Sequence, residues 1–314
     1  MKYLCLSTSL FLVAACANSG ASSPGASALA AYPAYSGSYD GFTLIVDDRF
    51  DDLDRSLWRP GDGAVGGESI CRFQDQGVVV EDGRLKLIVR PEAVPPGFSK
   101  DHDQEKGPYD YVCGEVRTVD ARRFHYGRIE ARMKAPNRAT ASGYISSLFT
   151  YRFDTDTDSE TPESTEWEEI DVELEGGRPE KFQANLIYGK DTWEWWRTRI
   201  YGAWEDKIEV GPVDEWRVFA IEWLPDSIRW YVDGELVKTL SAGDIDCQPE
   251  CIAPQEKPTP IPDNPTTIFM NFWIPNDDIQ DYFGGNKERN QYPMTTEYDW
   301  FRYYRWDGVA EDAS

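Results

Sequence analysis

The sequence predicts an all-β domain in which two antiparallel sheets pack as a sandwich or close as a barrel. Three observations point there. Short segments of strand-like pattern recur from Thr43 to Arg305, turn signals such as Glu81-Asp82-Gly83 and Val232-Asp233-Gly234 separate them, and no long stretch carries a helical period. The predicted strands are Thr43–Val46, Gly77–Val80, Leu85–Arg90, Gly127–Met133, Gly143–Tyr151, Glu168–Leu174, Lys181–Tyr188, Trp216–Trp223, Ser227–Val232, Glu235–Leu240, Thr267–Phe272 and Thr296–Arg305. Two sheets packed face to face bury one side of each strand and leave the other side of one sheet free to form a groove.

The flanks of this region read differently. Lys2 and the short apolar run Leu4 to Val13 have the form of an export signal, too short for a permanent bilayer span. Val13-Ala14-Ala15-Cys16 resembles a bacterial lipoprotein cleavage box with Cys16 as the lipidated residue; ordinary cleavage after Ala15-Cys16-Ala17 is the alternative. The expected layout is a signal peptide over 1–16, a flexible Ala/Ser/Gly/Pro/Tyr-rich linker over 17–40, the β domain over 41–308 and a tail over 309–314. That layout predicts an exported lipoprotein of the outer membrane, held there only by its lipid, or a secreted protein if the alternative cleavage applies. The domain is expected to act as a monomer.

Composition narrows the partners. The formal charge of −24 repels nucleic acid and anionic polysaccharides, whereas neutral glycans meet no such penalty. The chain holds 12 Trp, 17 Tyr and 14 Phe, more than a core of this size needs, so some are expected to line a binding groove. Four cysteines remain beyond the export segment, in an oxidising compartment: Cys71, Cys113, Cys247 and Cys251. They allow three pairings. Cys71–Cys113 with Cys247–Cys251 is expected, because the second pair shares one short Pro-containing loop. Three segments read as loops able to border a groove: Pro95–Tyr109, the acidic Arg152–Thr165, and Cys247–Pro265 with its six prolines.

The most telling segment is Trp167-Glu168-Glu169-Ile170-Asp171-Val172-Glu173-Leu174. As a strand it puts Glu169, Asp171 and Glu173 on one face and Ile170, Val172 and Leu174 on the other. Alternation alone fits a solvated acidic face as well as a site. Glycosidic bond cleavage, however, requires paired carboxyl groups, ~5–5.5 Å apart for retention of configuration and ~6.5–9.5 Å for inversion. Glu169 and Glu173 have Cα atoms ~13 Å apart at strand rise, so their side chains must lean together on a concave face. Three carboxyl groups this close cannot all ionise freely, and at least one pKa must rise, as a general acid near neutral pH needs. Spacing does not say which Glu attacks and which donates the proton.

Extended to Glu175-Gly176, this segment resembles the active-site signature of glycoside hydrolase family 16, in the form without an extra residue before the last Glu that characterises the lichenase branch. Cys71-Arg72-Phe73 with Cys113-Gly114-Glu115-Val116-Arg117 resembles that branch's bridged cysteine pair. Tyr126–Lys134, Ser146–Tyr151, Trp230–Gly234, Met270–Trp273 and Glu297–Trp300 follow in matching order, so the likeness spans residues 42 to 306. The resemblance implies a concave β-jelly roll and a retaining mechanism with Glu169 as nucleophile, Glu173 as general acid/base and Asp171 as assisting carboxylate. It implies a sugar cleft lined by Arg117, Phe149, Tyr151, Trp167, Asn185, Asn271 and Trp273. It implies no cofactor for catalysis, and a structural Ca²⁺ held by the carbonyls of Arg49 and Gly83 and the side chain of Asp299.

Trp193-Glu194-Trp195-Trp196, with Tyr201 and Trp204, is more aromatic than its lichenase counterpart, and two of the three loops look added. These departures leave the substrate open. The expected activity is a retaining endo-β-glucanase acting on β-1,3 or β-1,4 bonds in a neutral mixed-linkage glucan or related exopolysaccharide. A transglycosylase using the same carboxylates and a non-catalytic glycan-binding jelly roll are the alternatives.

Overall fold

A computed structural model describes residues 31–308 apart from 62, 64–68, 96, 100–103, 107, 156–164, 192–201, 243–260 and 284. Side chains of 97–99, 104–106, 153–155, 165–167, 188–191 and 202–204 also lie outside the described residues, as do Cys16, Cys247, Cys251, Trp195 and Trp196. The strands are β1 (Phe42–Asp48), β2 (Trp58–Pro60), β3 (Cys71–Phe73), β4 (Val78–Glu81), β5 (Arg84–Val94), β6 (Gly97–Ser99), β7 (Gln104–Lys106), β8 (Tyr109–Thr118) and β9 (Gly127–Lys134). They continue as β10 (Ile145–Thr155), β11 (Thr165–Glu175), β12 (Lys181–Asp191), β13 (Gly202–Glu209), β14 (Arg217–Leu224), β15 (Ser227–Val232), β16 (Glu235–Ser241), β17 (Thr267–Trp273) and β18 (Met294–Trp306). One short helix, α1 (Asp277–Gln280), follows β17, its N-terminus capped by the Asn276 side chain.

Hydrogen bonding runs in the order β13-β12-β11-β10-β17-β8-β5-β18-β9-β14-β15-β16. One half, β13 to β8, carries the acidic strand; the other, β5 to β16, backs it, giving the predicted all-β sandwich of two antiparallel layers. The join at β5–β8 requires close backbone approach: a Cβ on Gly114 would lie 2.3 Å from the Gly77 carbonyl. The predicted Asp-Gly turns are two-residue hairpins with both residues at positive φ, 56° and 66° at Asp82-Gly83 and 50° and 82° at Asp233-Gly234. Cys71 and Cys113 are bridged, with Cα atoms 5.7 Å apart.

One continuous core fills the space between the layers. Ile170, Val172 and Leu174 of β11 enter it with Leu148, Leu186 and Met270, against Leu87, Ile129, Phe219 and Phe301 of the opposite layer. Two polar tips cross that core to main-chain oxygens of the acidic layer. Trp230 Nε1 donates to the Asp171 carbonyl at 2.9 Å, and the Tyr298 hydroxyl donates to the Ser147 carbonyl at 2.8 Å. These bonds satisfy groups that burial would otherwise penalise, and they tie the backing layer to the acidic strand and its neighbour.

One expectation is corrected. Residues 31–40, read from composition as the end of a flexible linker, belong to the same compact unit as the domain. Tyr35 and Tyr39 both donate hydroxyl hydrogen bonds to Glu130 of β9, a fully buried carboxylate that also accepts from Tyr304 and from Arg128. Tyr39 lies 4.0 Å beneath the Arg128 guanidinium. The aromatic tips of the segment therefore complete a charge network on the outer face of the backing layer, which a sequence reading of Ala, Ser, Gly and Pro content does not register.

The residues of the expected calcium set have partners of their own. Asp299, the one acidic member of the set, is held by Arg132 Nη1 at 2.7 Å and faces Arg84 Nε at 3.7 Å. Arg84 directly follows Gly83 and brings a guanidinium to the side chain of Asp299. A carboxylate matched to two cations does not suit a divalent metal, and Arg49, Gly83 and Asp299 do not fit Ca²⁺ here.

Candidate active site

The acidic strand is central in its layer, and register places its neighbours. Glu169 lies between Tyr151 of β10 and Ile187 of β12, Asp171 between Phe149 and Asn185, and Glu173 between Ser147 and Gln183. The rows extend across β17 and β8. Asn271 and then Glu115 continue the Glu173 row, while Phe269 and then Arg117 continue the Asp171 row. Alternation in β11 decides the rest, since Ile170, Val172 and Leu174 are buried in the core and so turn the carboxylates to the open face.

Aromatic rings floor this face. Phe149 stacks on Phe269 with centroids 5.0 Å apart, Tyr151 meets Phe269 edge-on at 5.7 Å, and the Arg117 guanidinium sits 5.7 Å over Phe269. Asn271 is nearly buried, and its Oδ1 accepts no hydrogen bond among the described residues, an acceptor placed in the row of Glu173. Trp273 is half-buried, edge-on to Phe283 at 5.8 Å, one row beyond Glu173. Trp167 occupies β11 opposite Phe153 and Gly189, with its side chain outside the described residues. The structure thus gathers Arg117, Phe149, Tyr151, Asn185, Asn271 and Trp273 around Glu169, Asp171 and Glu173.

The electrostatics separate the carboxyl groups. Burial, then the neighbouring charges of Glu169 and Glu175, push Glu173 from an ordinary 4.5 up to about 8, against the opposing pull of Lys207. Burial and the charges of Glu169 and Glu173 also raise Asp171 well above its usual range. Asp171 shares a hydrogen bond with Glu169 and takes another from Asn185. Gln183 Nε2 donates to Glu173 Oε2 at 2.9 Å. At neutral pH Glu173 therefore carries a proton, and Asp171 is poised to hand a hydrogen bond to Glu169.

Several contributors escaped the sequence reading. Phe269, Glu115 and Gln183 sit on strands whose neighbours were singled out, and the period-two rule applied from Asn271 or Asn185 would have found Phe269 and Gln183. Glu168 is nearly buried and accepts from both the backbone and the side-chain amide of Asn264, at 3.1 and 2.6 Å. It anchors the segment leading into β17 to the start of the acidic strand.

An antiparallel layer with an aromatic floor and a row of electrically separated carboxyl groups has the groups that glycosidic-bond cleavage requires. Residues 68–301 match glycosyl hydrolases family 16, and the chain belongs to that family: it is a glycoside hydrolase. It is 29% identical over 258 residues to a β-glucanase of Bacillus amyloliquefaciens, covering 81% of this chain and 84% of that one. Among solved structures it resembles a β-1,3-1,4-glucanase (lichenase) derived from a mouse hindgut metagenome, with 25% identity, a TM-score of 0.58 and coverage of 83% and 99%. The catalytic domain of an endo-1,3-β-glucanase (laminarinase) from Thermotoga petrophila shares the fold at 22% identity and a TM-score of 0.61, over 85% and 99% of the two chains.

Proposed function

We propose that the protein is a retaining endo-β-glucanase that hydrolyses β-1,3 or β-1,4 bonds in a mixed-linkage β-glucan or related exopolysaccharide. The carrying observation is the single strand face on which a carboxyl group raised to about 8, Glu173, stands two rows from Glu169 with Asp171 between them. In the first step Glu169 attacks the anomeric carbon while Glu173 gives its proton to the departing glycosidic oxygen. In the second, the Glu173 carboxylate takes a proton from water, the water oxygen bonds to the anomeric carbon, and Glu169 leaves. Asp171, whose carboxyl group burial and the neighbouring carboxylates push well above its usual range, shares a hydrogen bond with Glu169 and so lowers the cost of the charge that returns to it on release. Stacking of pyranose faces on Tyr151 and Phe149 and hydrogen bonding to Asn271 and Asn185 would hold the chain across the rows. The likeness to β-glucanases supports the substrate class.

The test is incubation with lichenan, laminarin, xyloglucan and bacterial exopolysaccharides, reading new reducing ends, product size and the first-formed anomer. A β-anomer from a β-glucan is expected; an α-anomer, or sugar binding without new ends, refutes the reading. Glu169→Gln should abolish turnover at an unchanged unfolding transition, and substantial residual activity would mean that another group attacks. From the export segment we also propose lipidation at Cys16, read as a diacylglyceryl mass on the mature N-terminus; an unmodified N-terminus at Asn18 would refute it.

A further inference from the structure

The row of acidic residues does not stop at Glu173. Glu175, the last residue of β11, lies on the same strand face and is nearly buried at 2% exposure. Two cations close on it: Arg178, three residues on, hydrogen-bonds Oε2, and Lys207 Nζ of β13 lies 3.4 Å from Oε1. Both cations also reach one backbone oxygen. Arg178 Nη2 and Lys207 Nζ donate to the Tyr282 carbonyl at 2.8 and 3.2 Å, and Lys207 sits 4.3 Å from the Tyr282 ring. The Tyr282 hydroxyl in turn lies 3.4 Å from Gln183 Nε2, the atom that donates to Glu173. Register puts Lys207 opposite Gln183 and Gln183 opposite Glu173.

A buried ion pair of this kind is weak evidence for stability, since apolar residues of similar volume serve as well. Its position beside the proton donor gives it another use. We propose that Glu175 and Lys207 are positioning residues for Glu173, fixing the Gln183 amide on its carboxyl group through Tyr282 and setting the field in which it holds its proton. This rests on Glu173 acting as the general acid/base.

The groups facing Glu173 are few enough to reckon. Its own strand contributes Glu169, Asp171 and Glu175; β13 contributes Lys207 and Glu205; β8 contributes Glu115 at the far end of the same row; Arg178 follows β11, Tyr282 follows α1, and Tyr151 lies on β10. Gln183 and Asn185 of β12 do not titrate. Removing Glu175 takes away a like charge and releases two cations, so Glu173 loses its proton more easily. Removing Lys207 takes away the cation that opposes the carboxyl cluster, so Glu173 holds its proton more tightly. The two halves of one pair must therefore act in opposite directions, whereas simple loosening of the site would move both variants the same way.

The experiment is a carbon-13 titration of glutamate carboxyl groups in the full chain, the Glu173 signal being the one lost in Glu173→Gln, alongside the pH profile of kcat/KM. Glu175→Gln should lower the Glu173 midpoint and Lys207→Met should raise it. Each shift should be about half to one pH unit, the effect of a charge ~10 Å away at an effective dielectric of roughly 20–40. Lys207→Arg should leave the midpoint in place, and the double variant should return it towards the parent value. Shifts of the same sign, or none, overturn the proposal. Opposite shifts in the titration with an unmoved basic limb of kcat/KM would uphold the tuning and refute Glu173 as the acid.

Discussion

Glu173→Gln should make the enzyme inactive and, above about pH 4.5, more stable. The Glu173 carboxyl rises from an ordinary 4.5 to about 8 in the folded chain. Between those values the folded chain holds a proton that the unfolded chain has released. Stability is therefore full below about 4.5, falls as pH rises towards 8, and is level beyond it. At pH 7 the interval is 2.5 units, which at ~1.36 kcal/mol each gives about 3 kcal/mol, an order-of-magnitude figure because Asp171 shares the proton. Glutamine keeps an oxygen for the Gln183 amide and removes the group whose charge is disfavoured, so most of that penalty should disappear. In a domain this large the gain corresponds to about 6 °C in Tm. Thermal unfolding of both proteins at pH 4.5, 7 and 8.5 measures it, with lichenan hydrolysis in parallel. The expected result is a difference near zero at pH 4.5 that grows to several degrees at pH 7 and persists at 8.5, while hydrolysis falls by at least ~10²-fold. A gain independent of pH, or a loss of stability at pH 7, would refute the placement of a neutral, desolvated carboxyl group at Glu173.

Other outcomes follow from features away from the cleft. Tyr39→Phe removes one donor from the buried Glu130 and should cost about 1–3 kcal/mol in chemical denaturation while leaving kcat unchanged, since Glu130 belongs to the backing layer; an unchanged unfolding midpoint would refute a structural role for residues 31–40. Because Asp299 is matched to Arg132 and Arg84, neither calcium nor a chelator should shift the melting temperature, and a rise of several degrees with calcium would restore the metal site. The Cys71–Cys113 bridge spans a sequence separation of 42, so Cys71→Ser together with Cys113→Ser should cost roughly 4 kcal/mol on loop-closure grounds, read by urea unfolding; a cost below ~1 kcal/mol would contradict it.

What the sequence conveyed and what it withheld have physical causes. Strands with one wet face were legible because alternation marks them, and β11 is the plainest case. β8 was not, although it carries Glu115 and Arg117: one of its faces lies in the core and the other under the cleft, so Val112, Cys113, Gly114, Glu115 and Val116 are buried in succession and no alternation survives. β13 was missed for the opposite reason. It is the outermost strand of its layer, and Glu205, Asp206 and Lys207 in succession interrupt the alternation before Ile208 returns to the core. Glu175 lay beyond the predicted strand end at Leu174, and its partners come from a turn and from the strand that was missed. The calcium set meets the same limit: three matching positions say nothing of an arginine on the adjacent strand that pairs with the carboxylate.

The two faces of β11 then explain how such a site persists. Ile170, Val172 and Leu174 are each at most 1% exposed. At ~1.5–3 kcal/mol apiece their burial contributes roughly 5–9 kcal/mol, more than the penalty of about 3 kcal/mol stored at Glu173 near neutral pH. One strand thus carries its destabilising chemistry and its compensation on alternate residues, ~3.3 Å of rise apart and fixed to the same peptide units. Substitutions on the two faces must diverge in consequence. Truncation on the core face loses stability and, by loosening the carboxyl groups, activity as well. Neutralisation of Glu173 on the cleft face gains stability as activity disappears, so that carboxyl group stands against the stability of the fold.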